Sequence, residues 1–451
     1  MPHTKALLLS LAILASLSTL LTCTQTQVPA AAPLPAAPAK LTVDTPWDWS
    51  GIIGTGQSLA VGQMGKPVAS NVQPYNNLQL STARLPWPVD PADKTLSMVP
   101  LIEPIGRLST GYPSSWPTNI AGETPHSAMA NQLTSMVKAA ADRDFISVHG
   151  EVGENGQCMI YLKKDPTQKG VSGRSFEAAV TETKAITRLA KAAGKTYGVG
   201  AIIITHGECD AGNAKYESDL HQLWQDYNTD LPAITGQKQK LQMIVSQQNA
   251  VNNRSASTLA EWKVGVDFPA DIVCSGPKYQ YPYANDGVHL ITEGYRELGE
   301  KYAQVYFERV ILHHDWQPLQ PTKVTARGAV ITVQFHVPVA PLVWETAFDA
   351  PHQGVEEWKL GKGFEVSAAN GQKVAIASVA IDGEAVAITC AADPGPKARV
   401  SYAMIGETKK MAAPHAGTLR WGLLKDSDPF IGANTKKAQP NYAVAFEMTL
   451  P

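Results

Sequence analysis

Between Trp47 and about Val310, short apolar runs alternate with longer amphipathic ones, and no other property of the chain narrows its architecture as far. Such alternation is how a parallel sheet with crossover helices reads. Strands are expected at Gly51 to Gly54, Phe145 to Val148, Val199 to Ile204, Leu241 to Ser246 and Asp271 to Cys274. Helices fit at Ser127 to Ala141, Ser175 to Ala193, Tyr216 to Tyr227 and Thr292 to Val310. In the second of these, Ser175 suits an N-cap and Gly194 a C-cap. The stretch from Gln63 to Thr124, rich in Pro, Gly and Asn, lacks periodicity and reads as a long ordered excursion over the sheet edge, of the kind that walls a binding site.

After Pro318 the pattern changes to β-branched alternation, in Val324 to Val337 and again in Lys373 to Thr389, with turn residues between. That reads as a β-sandwich of about 130 residues. A chain of 451 residues also exceeds what one core usually organises, so two domains are expected, 44–315 and 318–451. Trp421 and the run Lys425-Asp426-Ser427-Asp428-Pro429 fit either a sugar-contacting face or packing between the domains. A net charge of -2 without long blocks of one sign gives no reason to expect nucleic acid as a partner. Oligomeric state is not legible.

The N-terminus reads as an export signal over 1–22: Lys5 precedes an apolar run from Ala6 to Leu21 that is too short for a stable span. Leu20-Leu21-Thr22-Cys23 is similar to a lipoprotein processing site, which would anchor the mature chain to membrane through Cys23 at the periplasmic or cell surface. Ordinary secretory cleavage near Ala30 to Ala32 is the alternative. In either case 23–43, rich in Pro and Ala, is a tether. Four further cysteines, Cys158, Cys209, Cys274 and Cys390, are too few for a disulfide scaffold and are not spaced for zinc. One bridge is possible, and Cys158 with Cys209 is the first choice because both lie beside polar loops at strand ends.

A serine hydrolase needs a hydroxyl, a base within reach, a group to orient the base, and donors for the oxyanion. Gly54-Thr55-Gly56-Gln57-Ser58-Leu59-Ala60 ends the first expected strand in a tight turn that can present Ser58 at a helix start; alone, the same turn suits a phosphate cradle. Asp286-Gly287-Val288-His289 puts a carboxylate three residues before an imidazole, so that Asp286 can hold the near ring nitrogen and leave the far one for serine. Two more strand-end loops carry polar groups: Val148 to Gln157, where Gly156 offers a backbone N–H, and Ile204 to Asp210. His313-His314 lacks a metal-ligand pattern, so no metal is expected. Gly56-x-Ser58-x-Ala60 also approximates the elbow of α/β-hydrolases, but only one strand is expected before it and that fold usually puts acid and histidine on separate loops.

Together these four segments resemble the SGNH (GDSL-like) hydrolases, in particular the branch of sialate O-acetylesterases and acetyl-xylan esterases. That branch carries G-Q-S-N-A, a Gly-Gly loop, Q-G-E-S-D and a terminal D-x-x-H. The counterparts here are Gly56 to Ala60, Gly156-Gln157, His206-Gly207-Glu208-Cys209-Asp210 and Asp286 to His289. The resemblance covers about 48–310. It implies a flavodoxin-like three-layer α/β domain and a cofactor-free serine esterase acting on O-acetyl groups of carbohydrate. Leu59 stands for the usual Asn, Gln157 for a Gly, and His206 for a Gln with an oxyanion role. The resemblance therefore implies Ser58, Asp286 and His289 as the triad, Ser58 and Gly156 amides with the His206 ring as oxyanion donors, and Gln57, Glu208 and Asp210 in support. An esterase acting on lipids or polyesters, and a non-catalytic glycan-binding protein on the same scaffold, are the alternatives.

Overall fold

The computed structural model describes residues 41–81, 89–105, 122–165, 173–249, 255–346, 360–404 and 422–451. The export signal, Cys23 and Trp421 lie outside them. In chain order the first part comprises β1 (Trp49–Gly56), β2 (Leu78–Leu80), β3 (Met98–Pro100), α1 (Pro125–Ala141), β4 (Ser147–Glu151), α2 (Met159–Leu162), α3 (Arg174–Ala192), β5 (Tyr197–Thr205), α4 (Tyr216–Thr235), β6 (Gln242–Val245), α5 (Ala256–Asp267), β7 (Ile272–Cys274) and α6 (Thr292–Tyr306). A π-helical turn, Phe307–Ile311, ends α6.

The sheet order is β3-β2-β4-β1-β5-β6-β7, parallel except for β2 with β3. Counted in chain order, the five principal parallel strands run 2-1-3-4-5, the flavodoxin-like doubly wound order. Residues alternate between two apolar layers. Ile52, Ala201, Ile203, Ile244 and Val273 face one side with Met129 of α1 and Leu298 of α6. Ile53, Ile202, Ile204, Met243, Val245 and Ile272 face the other with Phe176 of α3 and Leu220 of α4. Burial of both faces explains why the strands read as near-continuous apolar runs.

Where boundaries differ from the sequence reading, tertiary partners account for it. Gly173, in the left-handed region at φ +71°, is the N-cap of α3, and Ser175 lies inside the helix. Arg174 thereby starts the helix, where it pairs with Glu154. Helix α4 runs past Tyr227 to Thr235 because Leu231 continues its apolar face, and Gly236 caps it. In the excursion, β2 and β3 extend the sheet beyond β4, and two buried carboxylates hold described segments on either side of them: Glu123 accepts from the Ala69 and Ser70 amides, Glu103 from the Ile105 and Ser127 amides.

The C-terminal part comprises β8 (Gln320–Arg327), β9 (Val330–His336), β10 (Val343–Trp344), β11 (Phe364–Ser367), β12 (Lys373–Val374), β13 (Ile376–Asp382), β14 (Ala385–Cys390), β15 (Arg399–Tyr402), β16 (Leu424–Lys425) and β17 (Phe446–Thr449). They form two four-stranded antiparallel sheets, β13-β14-β9-β8 and β12-β11-β15-β17, plus the β10-β16 pair. Inward residues of both four-stranded sheets, among them Ile331, Val333, Ile388, Val400 and Phe446, belong to the same apolar cluster as the α3 side of the parallel sheet. Residues 41–451 are one compact unit. Of the Lys425 to Pro429 run, Lys425 pairs with Glu345, Asp426 accepts from the Val339 and Asn441 amides, and Asp428 accepts from Gln304 of α6, so its polar groups are engaged in packing.

Candidate active site

Ser58 follows β1, beside β5, at the carboxyl ends of the strands where the chain order reverses. Gly56 has φ +147°, and a Cβ there would lie 2.1 Å from the Thr205 carbonyl oxygen, so β1 can pass this close to β5 only with glycine. Residues Ser58 to Met64 form successive turns, closed by Gln63 N–H to the Ser58 carbonyl at 2.9 Å. No helix starts at Ser58, contrary to the expectation. Leu59 is fully buried in the layer of α1 and α6, which accounts for an apolar residue where the resembled motif has Asn.

The Asp286–His289 segment is a closed turn: Ala284 N–H donates to the His289 carbonyl at 2.7 Å and Gly287 N–H to the Ala284 carbonyl at 3.0 Å. Asp286 Oδ1 accepts from the amides of Val288 at 2.9 Å and His289 at 3.0 Å, while Oδ2 lies 2.7 Å from His289 Nδ1. His289 Nε2 is 2.7 Å from Ser58 Oγ. Partial burial pushes the Asp286 carboxyl up, but the His289 amide and ring and the Val288 amide outweigh it and leave it below its ordinary value. An ionised Asp286 accepts only, so Nδ1 carries the proton and Nε2 is left to accept from the serine hydroxyl.

The loop after β4 runs alongside the end of β1, with Val152 N–H on the Gly54 carbonyl at 2.8 Å and Glu154 N–H on the Gly56 carbonyl at 3.0 Å. Glu154 is anchored by a buried pair with Arg174. Gly156 sits in the left-handed region at φ +68°. Among the described residues, neither the Ser58 nor the Gly156 amide donates a hydrogen bond, so both remain available to an oxyanion.

His206 is placed differently from the expectation. Its Nε2 faces the Gln157 carbonyl at 3.0 Å and its Nδ1 the Tyr216 hydroxyl at 2.6 Å, with the residue fully buried. With both nitrogens engaged inside the protein, the ring has no N–H to offer an oxyanion, so His206 is not placed as an oxyanion donor. Burial, the largest influence, holds its pKa below the ordinary histidine value.

The remaining expected residues hold loops together. Gln57 Oε1 accepts from the Cys209 amide at 3.1 Å, and Asp210 accepts from the Met159 amide at 2.7 Å and from Asn213 Nδ2 at 3.1 Å. Glu208 is paired at 3.7 Å with Lys278, a fully buried lysine that spacing gave no means of finding. Cys158 and Cys209 form a disulfide joining the β4 and β5 loops. Together with Asp210 they are the one cysteine–carboxylate group close enough for a metal among the described residues, and both sulfurs are already bonded to each other. His313 and His314 pair instead with Asp44 and Glu308.

No protein-family model and no curated protein matches the sequence. Among solved structures, the chain is similar to a carbohydrate acetylesterase from Xanthomonas citri, with 13% identity, 88% of this chain and 80% of that one covered, and a TM-score of 0.54. Lesser likenesses are to a protein from Arabidopsis thaliana, with 18% identity, 59% and 100% covered and a TM-score of 0.43, and to NanS, with 11% identity, 57% and 96% covered and a TM-score of 0.36. The chain thus shares the fold of the Xanthomonas enzyme, and the resemblance read from its four motifs is matched at the level of the fold.

Proposed function

We propose that this chain is a serine esterase that removes O-acyl groups, in the first place O-acetyl groups on carbohydrate, through an acyl-enzyme on Ser58. The observation that carries the reading is the continuous line from Ser58 Oγ through His289 to Asp286, with 2.7 Å at each step. His289 Nε2 takes the hydroxyl proton as Ser58 Oγ bonds to the ester carbonyl carbon. The Ser58 and Gly156 amides hold the oxyanion without help from His206. As the ester C–O bond breaks, His289 returns the proton to the departing sugar hydroxyl. Water then attacks the acyl-serine, gives its proton to His289, and the acid leaves as Ser58 regains its own. These steps need only residues of this chain.

The substrate class rests on the motifs and on the shared fold with an acetylesterase. Export, and anchoring through Cys23, belong to the same proposal, as does the assignment of 318–451 as an accessory β-sandwich domain. The test is hydrolysis of p-nitrophenyl acetate against longer acyl esters, then acetate release from acetylated polysaccharide, by the wild type and by Ser58→Ala. The reading expects acetyl preference and a loss of several powers of ten in the variant. Ser58→Ala within tenfold of wild type would overturn the mechanism; preference for long acyl chains would overturn the substrate.

A further inference from the structure

A second line of buried polar groups runs from Asn77 through Ser147, His149 and His126 to Glu151, with every member 3% exposed or less. None of its residues belongs to the Ser58–His289–Asp286 line. Its protons can be counted from the far end. The Ser147 amide and hydroxyl both lie 3.0 Å from Asn77 Oδ1. A backbone N–H can only donate, so that atom is the amide oxygen, and the hydroxyl must donate to it as well. Ser147 Oγ then has only lone pairs left for His149 Nε2 at 3.0 Å, so Nε2 carries the proton.

His149 is neutral, because burial first and His126 second hold its pKa well below the ordinary value. Its Nδ1 is therefore an acceptor, and His126 Nδ1, 2.9 Å away, must donate. That leaves His126 Nε2 at 3.1 Å from Glu151 Oε2. A bare imidazole nitrogen against a carboxylate would set two acceptors face to face in a dry interior. One proton must lie between them, as imidazolium with carboxylate or as imidazole with carboxylic acid.

The other oxygen of Glu151 accepts from the Gly153 amide at 2.6 Å. Gly153 is wedged there: a Cβ would stand 2.7 Å from Glu151 Oε1 and 2.8 Å from both N and O of Gly56, two residues before Ser58. We propose that the proton shared by His126 and Glu151 makes Glu151 a positioning residue, which fixes the 152–157 loop, and with it the Gly156 amide, against the Ser58 turn. The kinetic consequence rests on the esterase reading; the shared proton does not.

The test compares Glu151→Met, which removes both contacts, with Glu151→Gln. The glutamine amide can accept from Gly153 and donate to a neutral His126, so the line is satisfied with no shared proton. With p-nitrophenyl acetate, Glu151→Met should lower kcat by about tenfold or more with KM within about threefold, since a displaced oxyanion donor is felt in the transition state. Glu151→Gln should recover most of that loss. Ring ¹⁵N signals of histidine-labelled protein should show one proton fewer at His126 in Glu151→Gln than a wild-type imidazolium, or an unchanged His126 Nε2 lone pair if the wild-type proton sits on Glu151. A wild-type protein with a bare His126 Nε2 and an ionised Glu151, the latter read from its carboxyl ¹³C signal, overturns the proposal. So does a folded Glu151→Met with unchanged kcat, or a Glu151→Gln as impaired as Glu151→Met. If the wild type cleaves no ester, the reaction reading fails, and the His126 ¹⁵N signals together with the Glu151 carboxyl ¹³C signal decide the proton.

Discussion

Both nitrogens of His289 are held, Nδ1 by an Asp286 oxygen at 2.7 Å and Nε2 by Ser58 at 2.7 Å, but the two contacts do different things. In the proposed mechanism, loss of the ring removes the base. Loss of charge on Asp286 removes only its orientation and the stabilisation of the imidazolium. His289→Ala should therefore be nearly as severe as Ser58→Ala, with Asp286→Asn milder, and their kcat values measured side by side decide it. A fully active His289→Ala would remove the base assignment. His206 calls for the opposite expectation. Its ring satisfies a buried carbonyl and a buried hydroxyl, so His206→Phe should cost roughly 1–3 kcal/mol of folding stability through the stranded Gln157 and Tyr216 groups. Urea unfolding reads this directly; an unchanged midpoint with a lost kcat would restore a catalytic role.

Loops after β1, β4 and β5 meet at this site, and covalent and ionic ties between elements keep them there. The Cys158–Cys209 bridge closes a sequence separation of 51 residues and lies beside the Gln57 contact to the Cys209 amide. Replacing both cysteines by serine should cost about 2–4 kcal/mol and lower turnover, read by urea unfolding and by ester hydrolysis. No change in either would make the bridge incidental. The excursion over the sheet edge has its own tie in Glu103, which burial first and the Glu123 charge second push up to about 8 from 4.5. Because the folded chain holds this proton more tightly than the unfolded one, its contribution is complete below about pH 4.5 and is lost as pH rises to about 8. Unfolding free energy measured at several pH values should fall across that window, and fall less in Glu103→Gln; parallel profiles would refute it. The principal strands were legible because each is buried on both faces and bounded by turn residues, and Asp286 with His289 was legible because their relation is local. Helix α2, at four residues, is too short for any period, and β2 and β3 become strands only by pairing with β4. The orientation of His206 was hidden for a similar reason: Tyr216 and the Gln157 carbonyl reach it only in the folded chain.

At the scale of the molecule, the C-terminal part is bonded to the loop after β6, to α5 and to α6 of the first part. Gln247, after β6, exchanges two hydrogen bonds with the Ala445 backbone, each 2.8 Å, and Trp262 of α5 donates to Gln320 at 2.9 Å. Helix α6, which follows directly on His289, is tied further: Glu300 Oε1 accepts from the Asn434 and Thr435 amides, and Lys301 donates to the Gln439 carbonyl and to Asn441. Burial, partly offset by the charges of Asp428 and Asp426, brings Lys301 down to about 8, so this amine depends on those acceptors. Ending the chain after Asp315 would leave Glu300 and Lys301 without them and would uncover Trp262 and Tyr279, both of which are buried. Each stranded buried polar group costs about 1–3 kcal/mol, against a typical folding stability of about 5–15 kcal/mol, before any apolar exposure is counted. The fragment should thus be insoluble, or melt at least about 10 °C below the full chain. Since α6 carries the loss straight to the His289 turn, ester hydrolysis should fall with it. A soluble fragment with the full chain's melting temperature and activity would show that the parallel sheet stands without the C-terminal strands.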